Sequence, residues 1–266
     1  MGFASAGPFF VCREDRMQER RNAIVELVNE QGSVSFRELK KAFPDVSDMT
    51  LRTDLKALDA ERRIVRIHGG ARSVEQIIGT DGLLSARSGK NIDAKAVIAQ
   101  KALALIQPNT TIFLDSGSTT TALARVMPDE HLLICTSGLS CAGDLARLEH
   151  AQVFLPGGNL NRFSLSLNGS RSVEAVKGLA FDQYFMGVTG YTPEVGIACG
   201  SDEEASLKRA CIQQADEVIA LMDSSKIGHR STFNVCDLAS VDIVVSDGKL
   251  PEDFVQRCKN AGVEIL

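Results

Sequence analysis

The stretch Thr111-Ile112-Phe113-Leu114-Asp115-Ser116-Gly117-Ser118-Thr119-Thr120-Thr121-Ala122-Leu123-Ala124 decides the architecture of most of this chain. A short apolar run of strand-forming residues passes into a turn of small hydroxyl residues, and the turn opens at once into a helix-forming segment. The reading is a strand over residues 111–115 and a helix over 120–127. Working outward, the same alternation recurs. Strands are predicted over residues 132–136, 152–155, 183–186, 218–222 and 243–246. Helices are predicted over 94–106, 139–148, 170–176 and 203–215. Helices interleaved with short apolar runs specify an α/β domain with a mostly parallel sheet, here residues 93–266. In such sheets ligands bind beyond the carboxyl ends of the strands, so the residues that follow each strand are where a site is expected.

Three strand ends carry suitable chemistry. In residues 115–120 four hydroxyls and a glycine stand at the start of a helix, where amide N–H and side-chain O–H groups converge on an anion such as phosphate. Helix capping alone also uses Ser and Thr, but needs fewer of them. Pro156-Gly157-Gly158-Asn159 follows the strand at 152–155, and its glycines admit either a close ligand or a plain turn. Asp223-Ser224-Ser225-Lys226 sets a carboxylate and an ammonium at a third strand end, with a solvated loop as the alternative. Glu204 and Lys208 lie four apart on one helix, either as a surface ion pair or flanking the same cleft.

Ahead of this domain the pattern is different. Ile24, Leu27 and Val28 place a helix within residues 16–30, and Gly32 ends it. Ser35 caps a short second helix over 36–43, with Glu38 as its capping-box partner. Ser47 caps a third helix reaching residue 60. In it Leu51, Leu55 and Leu58 form one buried stripe, and Met49, Arg52, Thr53 and Lys56 lie opposite. A strand-like ribbon, Arg62-Arg63-Ile64-Val65-Arg66-Ile67, then bends at His68-Gly69-Gly70-Ala71-Arg72. Three short helices and a basic ribbon are the parts of a winged helix-turn-helix over residues 16–72, the third helix reading a major groove. A helical protein–protein module is the alternative. Residues 73–92 read as a linker and 1–15 as a disordered leader.

Charge follows this division. The 266-residue chain carries a net −5, but residues 16–72 hold 12 Lys and Arg against 9 Asp and Glu, while residues 73–266 hold 16 against 23. A basic front part on an acidic remainder suits a protein of which only the front touches a polyanion. No apolar run is long enough to span a bilayer. Seven cysteines without a CxxC pair and without a secretion signal point to buried thiols in a reducing cytoplasm. Four scattered histidines offer no zinc motif, so neither a metal nor another cofactor is expected.

Three N-terminal blocks resemble the DNA-binding domain of DeoR-type bacterial transcriptional regulators in order and spacing. They are Gly32-Ser-Val-Ser-Phe-Arg-Glu-Leu39, Val46-Ser47-x-x-Thr50-x-Arg52-x-Asp54-Leu55-x-x-Leu58 and Arg66-x-His68-Gly69-Gly70-Ala71. The effector domain of that family is resembled by residues 115–121, Pro156-Gly-Gly158, Asn168-Gly169, Gly187-x-x-Gly190, Glu204-Ala-x-x-Lys208 and Asp223-Ser-Ser-Lys226. Two positions depart from the family: Thr53 stands where a second arginine is usual, and Ser137 where an asparagine commonly follows the threonine. The resemblance implies a sensor domain similar in fold to ribose-5-phosphate isomerase and glucosamine-6-phosphate deaminase. It implies DNA contacts by Ser47, Thr50, Arg52, Thr53, Lys56, Arg66, His68 and Gly69. It also implies a phosphate cradle of Ser116, Gly117, Ser118, Thr119 and Thr120, with further effector contacts from Asp115, Gly157, Gly158, Glu204, Lys208 and Lys226.

The function expected is a regulator, usually a repressor, of carbohydrate-metabolism genes. Its partners would be double-stranded operator DNA, a phosphorylated sugar effector and further copies of itself in a dimer or tetramer. The competing reading is a sugar-phosphate isomerase or deaminase with a helical extension, with Asp115, Glu204 or Asp223 as general base. An adaptor that binds no DNA is a third.

Overall fold

A computed structural model describes residues 13–31, 33–61, 63–67, 69–73 and 84–266. They fall into two compact units that divide between Ile78 and Gly79. His68, residues 1–12 of the expected leader and residues 74–83 of the expected linker lie outside the described residues.

The first unit contains α1 (Arg13–Gln31), β1 (Ser33–Ser35), α2 (Phe36–Ala42), α3 (Asp48–Ala60), β2 (Val65–Ile67) and β3 (Gly70–Arg72). Its core is Ile24, Val28, Val34, Leu39, Leu51, Leu55, Leu58, Ile64 and Ala71. The three expected helices are present. The capping box at Ser35 forms: its hydroxyl accepts from the Glu38 amide, and Glu38 accepts from the Ser35 amide at 2.8 Å. Two corrections apply. Helix α1 begins at Arg13, three residues inside the expected leader, and the ribbon is three-stranded, in the order β1-β3-β2, all antiparallel. Strand β1 is three residues long, too short to show a periodicity of two. The paired glycines serve separate needs. Gly69 has φ +82°, whereas a side chain at Gly70 would overlap the carbonyl oxygen of Val34 across the sheet.

The second unit is built on seven strands: β4 (Thr111–Leu114), β5 (Leu133–Thr136), β6 (Gln152–Phe154), β9 (Phe181–Gly187), β12 (Ala215–Leu221), β14 (Ile243–Val245) and β15 (Glu264–Ile265). Their order is β15-β14-β12-β9-β4-β5-β6, and every registered pair is parallel. Alternate residues face opposite sides, and both sides are buried. Ile112, Leu114, Phe185, Ile219 and Leu221 pack under α5 (Ile92–Leu103), α6 (Ser118–Val126) and α7 (Leu139–Leu145). Phe113, Tyr184, Met186, Val218 and Ala220 face α8 (Ser170–Lys177), α9 (Asp202–Gln214) and α10 (Glu252–Ala261).

Several elements of this unit go beyond the sequence expectations. They are a hairpin of β7 (Asn159–Asn161) and β8 (Ser166–Asn168), an antiparallel sheet of β10 (Gly190–Thr192), β11 (Gly196–Cys199) and β13 (Phe233–Cys236), helix α10 and strand β15. Part of the expected linker is ordered as well: α4 (Leu84–Ser88) occupies it, and α5 begins at its end. The chain builds β4, β5 and β6 outward in one direction and then returns to place β9 on the other side of β4. The order therefore reverses between β4 and β9, which is where a parallel sheet opens a crevice.

Candidate functional site

In the first unit α3 presents Met49, Arg52, Thr53 and Lys56 outward, one helical face at spacings of three and four. The Arg52 guanidinium lies 4.3 Å from the centroid of the Phe36 ring, a cation–π contact that holds a long side chain near one direction. Ser47 and Thr50 share a hydroxyl hydrogen bond of 2.8 Å, and Ser47 accepts from the Thr50 amide at 3.2 Å. Both thus serve the helix start. The Thr53 hydroxyl donates to the Met49 carbonyl at 2.9 Å. On the wing, the Arg66 amide donates to Asp59 at 2.9 Å while its side chain is exposed, and the carbonyl of Gly69 accepts from Phe36 at 2.7 Å.

Asp54 was missed as a functional residue. It lies on the buried side of α3 between Leu51 and Leu58, where its carboxylate takes Arg20 Nε at 2.7 Å and Arg21 Nε at 3.0 Å. This clamp fixes α3 against α1. The signal was available, because a charge at position 54 falls on the apolar stripe, and such a charge needs a partner in the core.

In the second unit the hydroxyl loop stands at the reversal between β4 and β9. Gly117 has φ +140°, and no side chain among the described residues caps α6. The hydroxyls of Thr120 and Thr121 turn back to the Gly117 carbonyl at 3.0 and 2.6 Å. Those of Ser116, Ser118 and Thr119 make no hydrogen bond among the described residues, so they and the first amides of a nine-residue helix are available to an anion. The neighbouring strand end crowds close: a side chain at Gly138, after β5, would stand 3.1 Å from Ser116 Cα. Beside it the Ser137 hydroxyl is buried without a hydrogen-bond partner among the described residues.

Behind the loop lies a buried charge cluster. Asp115 accepts from the Ser116 amide at 2.8 Å through Oδ1 and from the Gly187 amide at 3.0 Å through Oδ2. Lys208, on α9, ion-pairs with Asp115, donates to the Gly187 carbonyl at 2.8 Å and lies 3.4 Å from Glu204. Burial disfavours the ammonium, but the two carboxylates outweigh it and raise the Lys208 pKa. The structure thus brings Asp115, Glu204 and Lys208 together, with the Lys208 ammonium turned onto the ends of β4 and β9.

The remaining expected effector residues are spread around this end of the sheet. Gly157 and Gly158 have φ +74° and +110°, and a side chain at Gly158 would overlap Ser172 and the Asn168 carbonyl. Gly158 therefore packs on β8 and α8. Lys226 is half-buried in a turn after β12 and forms no ion pair among the described residues. Near it is a residue the sequence reading missed: Lys95, on α5, is 5% exposed, and its ammonium donates to the carbonyls of Arg87 and Lys90. Like Asp54, it interrupts an apolar stripe, here with Ile98, Ala99 and Ala102. Among the described residues no His, Cys, Asp and Glu group could hold a metal, and no helix is long and apolar enough to cross a membrane.

A groove-reading helix with its wing, and an α/β unit with an anion-ready loop at its reversal point, define a DNA-binding regulator with a sensor domain. The description "DeoR-like helix-turn-helix domain" matches residues 20–77, and "DeoR C terminal sensor domain" matches residues 90–248. The chain belongs to the DeoR family of transcriptional regulators. It is similar to a putative aga operon transcriptional repressor of Escherichia coli O157:H7, with 31% identity over 250 residues and 93% of each chain covered. It is also similar to the transcriptional regulator GolR of Listeria innocua, at 31% over 251 residues, covering 93% of this chain and 97% of that one. The glycerol-3-phosphate regulon repressor of Escherichia coli K12 is 30% identical over 242 residues, covering 91% and 95%. Among solved structures, ribose 5-phosphate isomerase A of Methanocaldococcus jannaschii matches 52% of this chain and 55% of its own, at 16% identity and a TM-score of 0.39. Family and relatives alike indicate a DNA-binding regulator, and the isomerase or deaminase reading gives way to it.

Proposed function

We propose that the protein is a repressor that grips operator DNA through α3 and its wing and answers to a phosphorylated sugar or a related metabolite held by residues 116–120. The observation that carries the sensing half is the uncapped start of α6, with three unengaged hydroxyls, at the point where the strand order reverses. A relative named for the glycerol-3-phosphate regulon supports a phosphorylated ligand. In this reading Ser116, Gly117, Ser118, Thr119 and Thr120 cradle the phosphate, Lys226 adds charge, and Gly157 and Gly158 shape the rim. Asp115, Glu204 and Lys208 act on the ligand by bracing the loop from behind.

In the DNA half, Arg52, Thr53 and Lys56 face the major groove from α3. Ser47 and Thr50 direct the helix start at a phosphate, and Arg66, His68 and Gly69 form the wing contact. A single module of net charge +3 binds weakly, so a dimer or tetramer reads repeated half-sites. A monomeric mass in solution together with full operator affinity contradicts that assembly. Ligand control requires unequal affinity for the DNA-competent and DNA-incompetent arrangements.

Two variants test the division of labour on genomic fragments that the wild-type protein selects. Arg52→Ala weakens DNA binding by about tenfold or more and leaves ligand affinity unchanged. Ser118→Ala combined with Thr119→Ala spares DNA binding and lowers sensitivity to sugar phosphates. An exchange of these two phenotypes refutes the assignment.

A further inference from the structure

The outward face of α3 is basic at its edge and apolar at its centre. With about 3.6 residues per turn, Met49, Arg52, Thr53 and Lys56 share one arc of the helix, Arg52 at one margin and Thr53 at the other. Arg52 is drawn onto the Phe36 ring, 4.3 Å from its centroid, which keeps its charge at that margin. Met49 lies within the arc and is 75% exposed, more than any other large apolar side chain among the described residues. A lone exposed methionine needs no explanation by itself. Its neighbour one turn on gives it one.

The Thr53 hydroxyl donates to the Met49 carbonyl at 2.9 Å. The proton with which Thr53 could address a base edge is thereby committed to the helix. The outward group it has left is its methyl. Met49 and Thr53 therefore offer a thioether and a methyl side by side, on a surface that otherwise carries cations. In the major groove the edges of guanine, adenine and cytosine present acceptors or amino donors, which lose hydration without return against such a pair. Thymine alone presents a methyl group there.

We infer that Met49 and Thr53 form an apolar seat for one thymine C5-methyl group in each half-site, so that α3 demands an A·T pair at that position. The inference rests on the major-groove placement of α3 proposed above and adds Met49, which is not among the contacts given there. Labour is divided along the helix. Lys56 and Arg52 supply attraction that weakens with salt, whereas the seat supplies discrimination that does not. Covering one methyl group is worth about fourfold in affinity.

The test removes that methyl and nothing else. A duplex selected by the full chain from a random-sequence pool is remade with deoxyuridine in place of thymine, one position at a time. At one thymine per half-site the wild type loses about fourfold in affinity, by the same factor at low and high salt. Thr53→Ser keeps the hydroxyl and deletes only the methyl, and Met49→Gln keeps length and helix propensity. Both positions are exposed, so both variants melt as the wild type does. Each binds the thymine duplex about as weakly as the wild type binds the uracil one, and each discriminates thymine from uracil there by less than about twofold. If the wild type is indifferent to uracil at every position while Arg52→Ala still binds weakly, the seat is wrong and α3 remains the reading helix. If uracil weakens the wild type and both variants alike, the methyl is read elsewhere and the seat is again wrong. If Arg52→Ala and both variants bind as the wild type does, the groove placement of α3 fails and the seat fails with it.

Discussion

Replacing Lys208 by methionine separates a brace from a ligand contact. The side chains of Lys208 and Asp115 are 2% and 3% exposed, and that of Glu204 is 10% exposed. Methionine fills most of the space of the lysine stem but leaves two carboxylates facing a site without its cation. Removing one partner of a buried ion pair costs about 3–5 kcal/mol. Two features moderate the loss here. Asp115 retains the amides of Ser116 and Gly187, and Glu204 reaches some solvent. The lower end of the range, about 3 kcal/mol, is therefore expected. For a unit of this size that lowers the melting temperature by about 6–12 °C. Urea unfolding at neutral pH measures it, and a cycle with Asp115→Asn isolates the pairwise part. The pH dependence follows from the same cluster. Since the folded pKa of Lys208 lies above its ordinary 10.5, its contribution is complete below pH 10.5 and is lost as the pH climbs through the folded value. Wild-type stability accordingly falls above pH 10.5, and Lys208→Met flattens that alkaline limb. A variant that loses less than about 1 kcal/mol yet binds phosphate more than about tenfold worse refutes the brace and makes Lys208 a direct contact.

Two further predictions concern the DNA-reading unit. Asp54→Ala leaves Arg20 and Arg21 without their shared carboxylate. Both arginines are partly solvated, so the cost is about 2–3 kcal/mol, a large share of the stability of so small a unit, and it is measured by denaturant unfolding. A stability within about 0.5 kcal/mol of wild type speaks against the clamp. Gly70→Ala drives a methyl group into the backbone of Val34 and Ser35, so the wing strand must shift. The expected loss is about 2 kcal/mol or more in the same assay, together with weaker DNA binding, and an unchanged melt overturns it.

Much of the sensor site was legible because it is local. Residues 111–121 carry strand, loop and helix start in one stretch, and the amides of a helix start point the same way in any fold. Glu204 and Lys208, four apart, were equally readable as a pair, but their partner Asp115 is more than 80 residues away, and no local pattern announces it. Asp54 and Lys95 share one lesson: each is a charge on an otherwise apolar helical stripe, and each is nearly buried in an ion pair or against carbonyls. The strands β7, β8, β10, β11 and β13 escaped because each mixes one or two large apolar residues with polar or small ones, whereas the equally short β4, β5 and β14 stand out as nearly continuous apolar runs.

Local rules settled the parts: three helices with their caps, a basic wing bent at two glycines, and an alternating α/β region whose hydroxyl loop follows its first strand. Those features depend on neighbours within a few residues, and side-chain chemistry acts at that range without help from the fold. The tertiary structure alone decided the strand order, and with it the reversal beside β4 at which the hydroxyl loop stands. It also decided which distant polar groups meet: Lys208 with Asp115, Asn91 with Asp223, and Arg20 and Arg21 with Asp54. The physical reason is burial. A charge withdrawn from water must find its partner wherever the packed chain brings one, and only the folded arrangement determines where that is.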